Sequence, residues 1–271
     1  MPHPPDIHIH ATPHEAAEAL AREVSRLSAD AIAERSRFTI ALAGGSTPAA
    51  LYRLLALPPY VAEIDWPRWH VLWGDERCVP PDHPDSNYGM AKRTLIDHVP
   101  IPESHVHRMA GEAPPQQAAD AYAATLAGAL APDGRLDFAL LGVGDDGHTA
   151  SLFPDTASLA ENERSVVANW VPHLDTHRIT LTLPTLNRAR HVAVLATGAD
   201  KADAVRRALA PNAADATPPI ALVIPEDSAV VWHLTAAAAA SLLHSGESRN
   251  PGEGQPDNAH SHPANDPSGQ S

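Results

Sequence analysis

The chain has 271 residues, with 19 Lys and Arg against 33 Asp and Glu, so its formal net charge is −14. Hydrophobic residues make up 44% of it, which suits a globular domain, and no apolar run reaches the roughly 18 residues of a membrane span. The acidic balance argues against nucleic acid as a partner, because phosphate neutralisation needs a basic surface. A single cysteine, Cys78, leaves no internal disulfide framework. Residues 1–15 lack the features of a secretory signal, so we expect a cytoplasmic protein without membrane attachment.

Strand and helix signals alternate along the chain before its C-terminal segment. The clearest helix start is Thr12, which Pro13 and Glu15 follow as in a capping box with proline at the first helical position. A second helix is predicted to begin at Pro48, capped by Ser46 or Thr47. The predicted strands are 6–10, 38–43, 70–73, 137–143, 178–183, 191–197, 219–224 and 229–234. The other predicted helices are 87–98, 115–130, 199–209 and 235–243.

This alternation predicts an α/β fold with a doubly wound, mostly parallel Rossmann-like sheet and helices on both faces. Residues 1–245 are predicted to form a single domain. Residues 246–271 are rich in Pro, Gly, Asn and Ser without apolar periodicity, so we expect a disordered polar tail. Ligands of such sheets bind beyond the carboxyl ends of the strands, which directs attention to the strand-end loops.

The first such loop contains Gly44, Gly45, Ser46 and Thr47. Paired glycines allow close approach of the backbone to a ligand, and the free amides of the following helix attract an anion. An ordinary tight turn is the alternative.

The second loop contains Asp75, Glu76 and Arg77, and Ser86-Asn87 follow. The three charged residues could form a solvated salt-bridge cluster. The flanking Trp73 and Cys78 favour partial burial, in which an arginine suits a phosphate or carboxylate.

The third loop, residues 142–154, contains a literal G-x-G-x-x-G, with an acidic residue about twenty positions later at Glu161 or Glu163. A dinucleotide site needs a sustained helix after the third glycine, and Pro154 interrupts the chain too early for one. What remains is Asp146 and His148 in a constrained glycine loop. An aspartate that orients a histidine makes a general base that works near neutral pH.

The fourth loop carries Lys201, one of two lysines in the chain, in the first turn of a predicted helix. The helix dipole disfavours a cation there, and a bound anion would reverse that penalty. A surface ion pair with Asp200 or Asp203 is the alternative.

Together these loops resemble the 6-phosphogluconolactonase family. The motifs AGGSTP, GDER followed by SN, GDDGHTASLFP, Arg178-Ile179-Thr180 and residues 197–201 occur in the family's order, over roughly residues 6–243. The resemblance implies a lactonase domain that hydrolyses 6-phospho-D-glucono-1,5-lactone to 6-phosphogluconate in the oxidative pentose phosphate pathway. The implied partner is this small sugar-phosphate lactone, and the chain is expected to be a monomer or a weak homo-oligomer.

In this reading His148 activates a water molecule, oriented by Asp146 or Asp75. The expected phosphate ligands are the residues of the first loop and the cations of the others, namely Gly44, Gly45, Ser46, Thr47, Arg77 and Lys201. Arg178 is expected to bind substrate or to form a structural pair. We expect no metal and no cofactor, because a lactone is already an activated ester, and His8 and His10 meet no acidic cluster at ligand spacing.

Two alternatives stay open. Glucosamine-6-phosphate deaminases are similar in fold and carry a ring-opening glutamate five residues after the loop histidine, where this chain has Phe153. A non-catalytic sugar-phosphate sensor would keep the binding loops. The chain also departs from the family after Trp232, where Thr235 stands in place of a frequent acidic residue. Thr235 is expected to cap the last helix.

Overall fold

The computed structural model describes residues 3–245, so the predicted tail, residues 246–271, lies outside the described residues. The strands are β1 (Asp6–His10), β2 (Phe38–Leu42), β3 (Trp69–Trp73), β4 (Asp75–Arg77), β5 (Phe138–Leu141), β6 (Val166–Val171), β7 (Thr176–Leu181), β8 (His191–Ala196) and β9 (Val230–Thr235). The helices are α1 (Pro13–Arg35), α2 (Ser46–Leu55), α3 (Tyr60–Glu63), α4 (Asn87–Thr94), α5 (Pro115–Ala129), α6 (Leu183–Asn187), α7 (Ala202–Leu209) and α8 (Ala240–Ser245).

Six strands form a sheet in the order β1-β9-β8-β5-β2-β3, and every neighbouring pair in it is parallel. Strands β2 and β5 are buried at every residue. Since alternate side chains of a strand point to opposite faces, both faces of the sheet are covered there. The predicted doubly wound α/β fold is therefore confirmed.

Three further strands form a small antiparallel sheet in the order β4-β7-β6. Strand β4 follows β3 after one residue, Gly74, so the chain passes directly from the large sheet into the small one. Neither β4 nor β6 was predicted. Strand β4 has only three residues, all charged, and this composition is typical of a loop.

The start of α1 confirms the predicted cap by Thr12, while the Glu15 side chain reaches the amide of Ala11, one residue before the cap, and not that of Thr12 as in a standard capping box. The Thr12 hydroxyl accepts a hydrogen bond from the Glu15 amide at 3.1 Å, and the Glu15 carboxylate accepts one from the Ala11 amide at 3.1 Å. The helix ends at Arg35, and Ser36 adopts the left-handed conformation, with φ of 62°. Its buried face, which includes Leu20, packs into the hydrophobic core.

Two buried tyrosines fix the ends of the strands that lead into the predicted site loops. The Tyr52 hydroxyl accepts from the Ala43 amide and donates to the Ala43 carbonyl, at 2.9 and 2.8 Å. The Tyr122 hydroxyl accepts from the Trp73 amide at 2.9 Å. Burial raises the pKa of both hydroxyls, so both stay protonated. The backbone that enters each loop is thus held by side chains of α2 and α5.

The strand predicted at 219–224 is wrong, because Pro219–Leu222 form a 3₁₀ turn. Pro218 and Pro219 have no amide proton to donate to a sheet and fix their own φ angles. The Ile220 amide instead donates to the Gly147 carbonyl at 3.1 Å, which connects this turn to the third loop, residues 142–154.

Three predicted helices have different bounds in the structure. The helix expected over 87–98 ends at Thr94 and continues as a 3₁₀ turn over Ile96–His98. The helix expected from 199 begins at Ala202 after a 3₁₀ turn. The last helix begins at Ala240, because β9 extends through Thr235 and turns occupy 236–239.

Three histidines pack together beside β3. The His70 and His105 rings stack with centroids 3.9 Å apart, and His70 Nδ1 lies 3.2 Å from His107 Nε2. Burial, followed by the proximity of His105 and His107, lowers the pKa of His70 from 6.5 to about 4. Below pH 6.5 the unfolded chain therefore binds more protons than the folded one, and stability decreases as the pH falls from about 6.5 to about 4.

We expect the melting temperature to fall between pH 7 and pH 5, and His70→Gln to weaken this dependence. Burial also lowers the pKa of His107 and His191, so part of the pH dependence should remain in His70→Gln. His14→Gln, at a histidine whose side chain is 71% exposed, serves as the control and should keep the wild-type pH profile. Thermal unfolding followed by circular dichroism at a series of pH values measures the effect. An unchanged profile in His70→Gln would contradict it.

Candidate active site

The loops after β2, β5 and β8 and the strands β4 and β7 surround a single cavity of about 460 Å³. It lies where the strand order reverses, since β3 lies on one side of β2 and β5 on the other. Ligands of α/β proteins bind at such switch points. The cavity is lined by all the residues singled out from the sequence: Gly44, Gly45, Ser46, Thr47, Asp75, Arg77, Asp146, His148, Arg178 and Lys201.

Helix α2 begins two residues earlier than predicted, at Ser46 and not at Pro48. Gly45 has a φ of 100° and is the N-cap, and Ser46 is already helical, so the expected capping by Ser46 or Thr47 is wrong. The positive φ explains the difference, because glycine adopts it without strain. At Gly44 an added Cβ would lie 1.9 Å from Asn87 Oδ1, so only glycine fits against that amide.

The first turn of α2 and the loop after β8 are joined by a hydrogen bond at the edge of the cavity. The hydroxyls of Thr47 and Thr197 lie 3.0 Å apart. Amides in the first turn of a helix have no intrahelical acceptor, so this edge of the cavity supplies hydrogen-bond donors for an anion.

His148 is held by Asp146 in the loop after β5. His148 Nδ1 lies 2.6 Å from Asp146 Oδ1, and the His148 amide donates to the same oxygen at 2.9 Å. Burial acts to raise the pKa of Asp146, but the hydrogen bonds from the side chain and backbone of His148 outweigh it and lower that pKa. An ionised carboxylate only accepts, so Nδ1 carries the proton and Nε2 holds the lone pair.

Asp75 forms no hydrogen bond or ion pair with His148. Its carboxylate accepts a hydrogen bond from the Ser151 hydroxyl at 2.7 Å and one from Asn87 Nδ2 at 3.1 Å. Of the two aspartates considered for orienting His148, the geometry therefore favours Asp146. Ser151 and Asn87 also line the cavity and were not singled out as site residues, because uncharged side chains without a glycine motif carry little signal.

Arg77 and Arg178 form a pair of neighbouring cations on β4 and β7, where they are register partners. The Arg77 guanidinium donates to the Asp85 carbonyl. Within residues 3–245, no carboxylate lies at ion-pair distance from either guanidinium. Burial, followed by the charge of Arg77, lowers the pKa of Arg178. Two adjacent, unneutralised arginines are suited to an anion with several oxygens.

Lys201 lies in the 3₁₀ turn before α7. Its Nζ is 2.9 Å from Asp200 Oδ2, so the surface pair considered from the sequence is present although the lysine also lines the cavity. Thr235 supports this turn, since its hydroxyl accepts from the Gly198 amide at 3.3 Å. It also accepts from the Ala238 amide at 3.3 Å, which caps the turn before α8 and not the helix itself.

Glu76 connects the GDER motif, residues 74–77, to Ser86-Asn87 by hydrogen bonds. Its carboxylate accepts hydrogen bonds from the Asn87 and Tyr88 amides, at 2.7 and 2.8 Å, and from the Ser86 hydroxyl at 3.1 Å. Glu76 is 2% exposed, and burial raises the pKa of its carboxyl. The hydrogen bonds from the backbone act in the opposite direction and offset this increase only in part. Glu76 therefore anchors the start of α4 to β4, while Asp75 and Arg77 face the cavity.

We expect Glu76→Ala to destabilise the protein by about 3 kcal/mol or more, because it leaves buried donors without an acceptor. At about 2–4 °C per kcal/mol for a protein of this size, the melting temperature should fall by about 6–12 °C. Glu112→Ala is the matched control, because Glu112 forms an exposed i,i+4 pair with Arg108, worth about 1 kcal/mol at most. Equal melting temperatures for the two variants would show that Glu76 is not an anchor.

Two further features of the described part of the chain bear on its chemistry. In residues 3–245, no group of three or more His, Cys, Asp or Glu side chains is arranged to hold a metal ion. Over the same residues no helix is long and apolar enough to cross a membrane. The expectation that no metal or cofactor takes part stays a prediction.

The fold and this cavity define the class: an α/β protein with a histidine–aspartate pair and a cation-lined cavity at the switch point of its sheet. Residues 11–232 match the family model described as glucosamine-6-phosphate isomerases/6-phosphogluconolactonase, and the chain belongs to that family.

Three similar proteins carry the lactonase name. A 6-phosphogluconolactonase of Synechocystis is 42% identical over 218 residues, which cover 78% of this chain and 88% of the relative. A probable 6-phosphogluconolactonase of rice, named chloroplastic, is 39% identical over 84% of this chain and 73% of its own. The solved structure of 6-phosphogluconolactonase from Trypanosoma cruzi has a TM-score of 0.79 and 29% identity, covering 89% of this chain and 98% of that one.

Proposed function

We propose that the protein hydrolyses 6-phospho-D-glucono-1,5-lactone to 6-phosphogluconate, as an enzyme of the oxidative pentose phosphate pathway. The observation that carries the proposal is the 2.6 Å contact between His148 Nδ1 and Asp146 on the wall of a cation-lined cavity. Family membership and relatives named 6-phosphogluconolactonase at 39% and 42% identity support the same reaction.

His148 acts as the general base. Asp146 fixes the tautomer with the proton on Nδ1, and among the described residues no hydrogen bond occupies Nε2. Nε2 takes a proton from a water molecule, whose oxygen attacks the lactone carbonyl carbon. The bond between that carbon and the ring oxygen then breaks. The ring oxygen receives the proton from the imidazolium and becomes a hydroxyl. The carbonyl carbon becomes that of a carboxylic acid, which releases its remaining proton to solvent and leaves as the carboxylate.

The cations bind the phosphate in a protein that is acidic as a whole. Arg77 and Arg178 approach the cavity from the small sheet, and Lys201 from the loop after β8. The hydroxyls of Ser46 and Thr47 and the amides of Gly44 and Gly45 supplement them. The reaction as proposed needs no metal, because a lactone is already an activated ester.

Phe153 favours the lactonase over the deaminase. Its ring stacks on His148 with centroids 4.1 Å apart, at the position where the deaminases carry their ring-opening acid. Lactone hydrolysis acts on a closed ring and needs no such acid. A sugar-phosphate sensor would bind the same ligand and release no product.

The decisive assay measures 6-phosphogluconate release from lactone prepared immediately before use, with the spontaneous reaction subtracted. The wild-type protein should accelerate hydrolysis, and His148→Ala at equal concentration should approach the background rate. Glucosamine 6-phosphate, assayed for ammonia release, should give no product. A wild-type rate equal to the background would reject the lactonase, and ammonia release would establish the deaminase.

Three predictions from the sequence accompany this proposal. We expect a cytoplasmic enzyme, although the rice relative is named chloroplastic. We expect a monomer or weak homo-oligomer, which sedimentation measures directly. We also expect residues 1–245 to suffice as a single catalytic domain.

A further inference from the structure

We infer that Phe153 is a positioning residue for His148 and that His173 supports it from the cavity side. The inference rests on the proposed function for its kinetic part. The geometry that carries it is a row of three rings. The His148 and Phe153 rings lie 4.1 Å apart at an interplanar angle of 27°, and His173 meets Phe153 edge-on at 5.3 Å and 66°.

The stacking on Phe153 restricts the orientation of the imidazole plane, which the hydrogen bond to Asp146 does not fix. A single contact at Nδ1 fixes one atom of the imidazole but leaves the plane of the ring free to tilt about it. Phe153 is 5% exposed, and its flat face lies against the imidazole, so this buried ring restricts the tilt of the imidazole plane as well. Nε2 is thereby held in one direction relative to the cavity, and a general base needs such alignment with the proton it abstracts.

His173 comes from a different part of the chain. It lies in the 3₁₀ turn between β6 and β7, is exposed, and lines the same cavity as His148. Its charge acts on Asp146, where it is among the influences that lower the pKa of that carboxyl. The turn between β6 and β7 therefore contacts the loop after β5 through Phe153 and lines the cavity beside it.

The experiment compares Phe153→Leu, which keeps an apolar side chain but removes the flat ring, with Phe153→Tyr, which keeps the ring. The interaction energy of an aromatic pair corresponds to about a two- to tenfold change in the population of the stacked conformation. Phe153→Leu should lower kcat about tenfold with KM nearly unchanged, and Phe153→Tyr should restore most of kcat. His173→Ala, at an exposed position, should lower kcat about two- to threefold. Asp175→Asn in the same turn, at an αL position that asparagine tolerates, is its control.

A second readout is independent of activity. Protons above an aromatic face are shielded, so the ring protons of His148 should resonate upfield in the wild type and move downfield in Phe153→Leu. In Phe153→Tyr they should stay in place. The His148 signal among the 17 histidines is assigned by its loss in His148→Gln. Nuclear Overhauser contacts between the His148 and Phe153 rings test the stack in the wild type itself.

The outcomes separate the two proposals. Absence of lactone hydrolysis in the wild type, together with the shifts described, would reject the proposed function and keep the ring stack. Wild-type kcat and an unmoved His148 signal in Phe153→Leu would overturn the positioning role. Equal losses of kcat in the leucine and tyrosine variants would also overturn it, because the ring itself would then not matter.

Discussion

His148→Ala should lower kcat by about 10²–10⁴-fold, the usual contribution of general acid–base catalysis. KM should change little, because the phosphate contacts come from other loops. The wild-type kcat should rise with pH through a single ionisation, as the imidazole loses its proton. In His148→Ala that ionisation should disappear, and the residual rate should follow hydroxide concentration. Initial rates over a range of pH, each corrected for spontaneous hydrolysis, measure both effects.

The companion variant is Asp146→Asn, which should also lower kcat strongly because the imidazolium loses its counter-charge. His14→Ala on the exposed face of α1 controls for the loss of a histidine as such and should retain wild-type rates. Near-normal kcat in His148→Ala, or the same pH inflection as the wild type, would transfer the role to Asp75 or another group.

Arg77→Ala and Lys201→Ala should each raise KM about ten- to a hundredfold, because each removes a charge-assisted contact of about 1.5–3 kcal/mol. Both should also weaken inhibition by inorganic phosphate. Arg77 lacks a carboxylate partner among the described residues, whereas Lys201 already forms an ion pair with Asp200. We therefore expect the larger increase in KM for Arg77. Steady-state kinetics across a wide range of lactone concentrations measure the increase.

The control for these substitutions is Lys92→Ala, since Lys92 is the other lysine of the chain and forms an ion pair with Asp97 outside the cavity. Its KM should equal that of the wild type. The unphosphorylated lactone provides a second test, because its KM should respond little to either cavity substitution. If KM for the phosphorylated substrate is unchanged in both variants, the phosphate binds elsewhere.

Much of the large sheet could be predicted because its strands are short, largely apolar runs with a glycine one or two residues after their last residue, as after Phe38–Leu42 and Phe138–Leu141. The residues that follow such strands meet at one edge by topology alone. For this reason nine of the ten residues singled out from the sequence line a single cavity, which Arg178 reaches from β7 of the small sheet.

The small sheet could not be predicted in the same way. Its β4 strand consists of charged residues whose extended conformation depends on pairing with β7, a hundred residues later in the chain. His173 was missed with it, because it follows β6, which was not predicted. Sequence reasoning also left Asp75 and Asp146 as equal candidates for orienting His148. The side-chain geometry distinguishes them, because Asp146 lies 2.6 Å from His148 Nδ1 whereas Ser151 and Asn87 donate hydrogen bonds to the Asp75 carboxylate.

The pairing of β1 with β9 has a consequence for synthesis on the ribosome. Asp6 is aligned with Val231, so β1 is synthesised long before the strand with which it pairs and finds that neighbour only when β9 has been translated. Contacts so distant along the chain slow folding, because a long loop must close before they form. Until then the edge of β8 is also uncovered. A nascent chain arrested before Val230 should therefore be sensitive to protease and prone to self-association, and the final strand acts as the closing step of assembly.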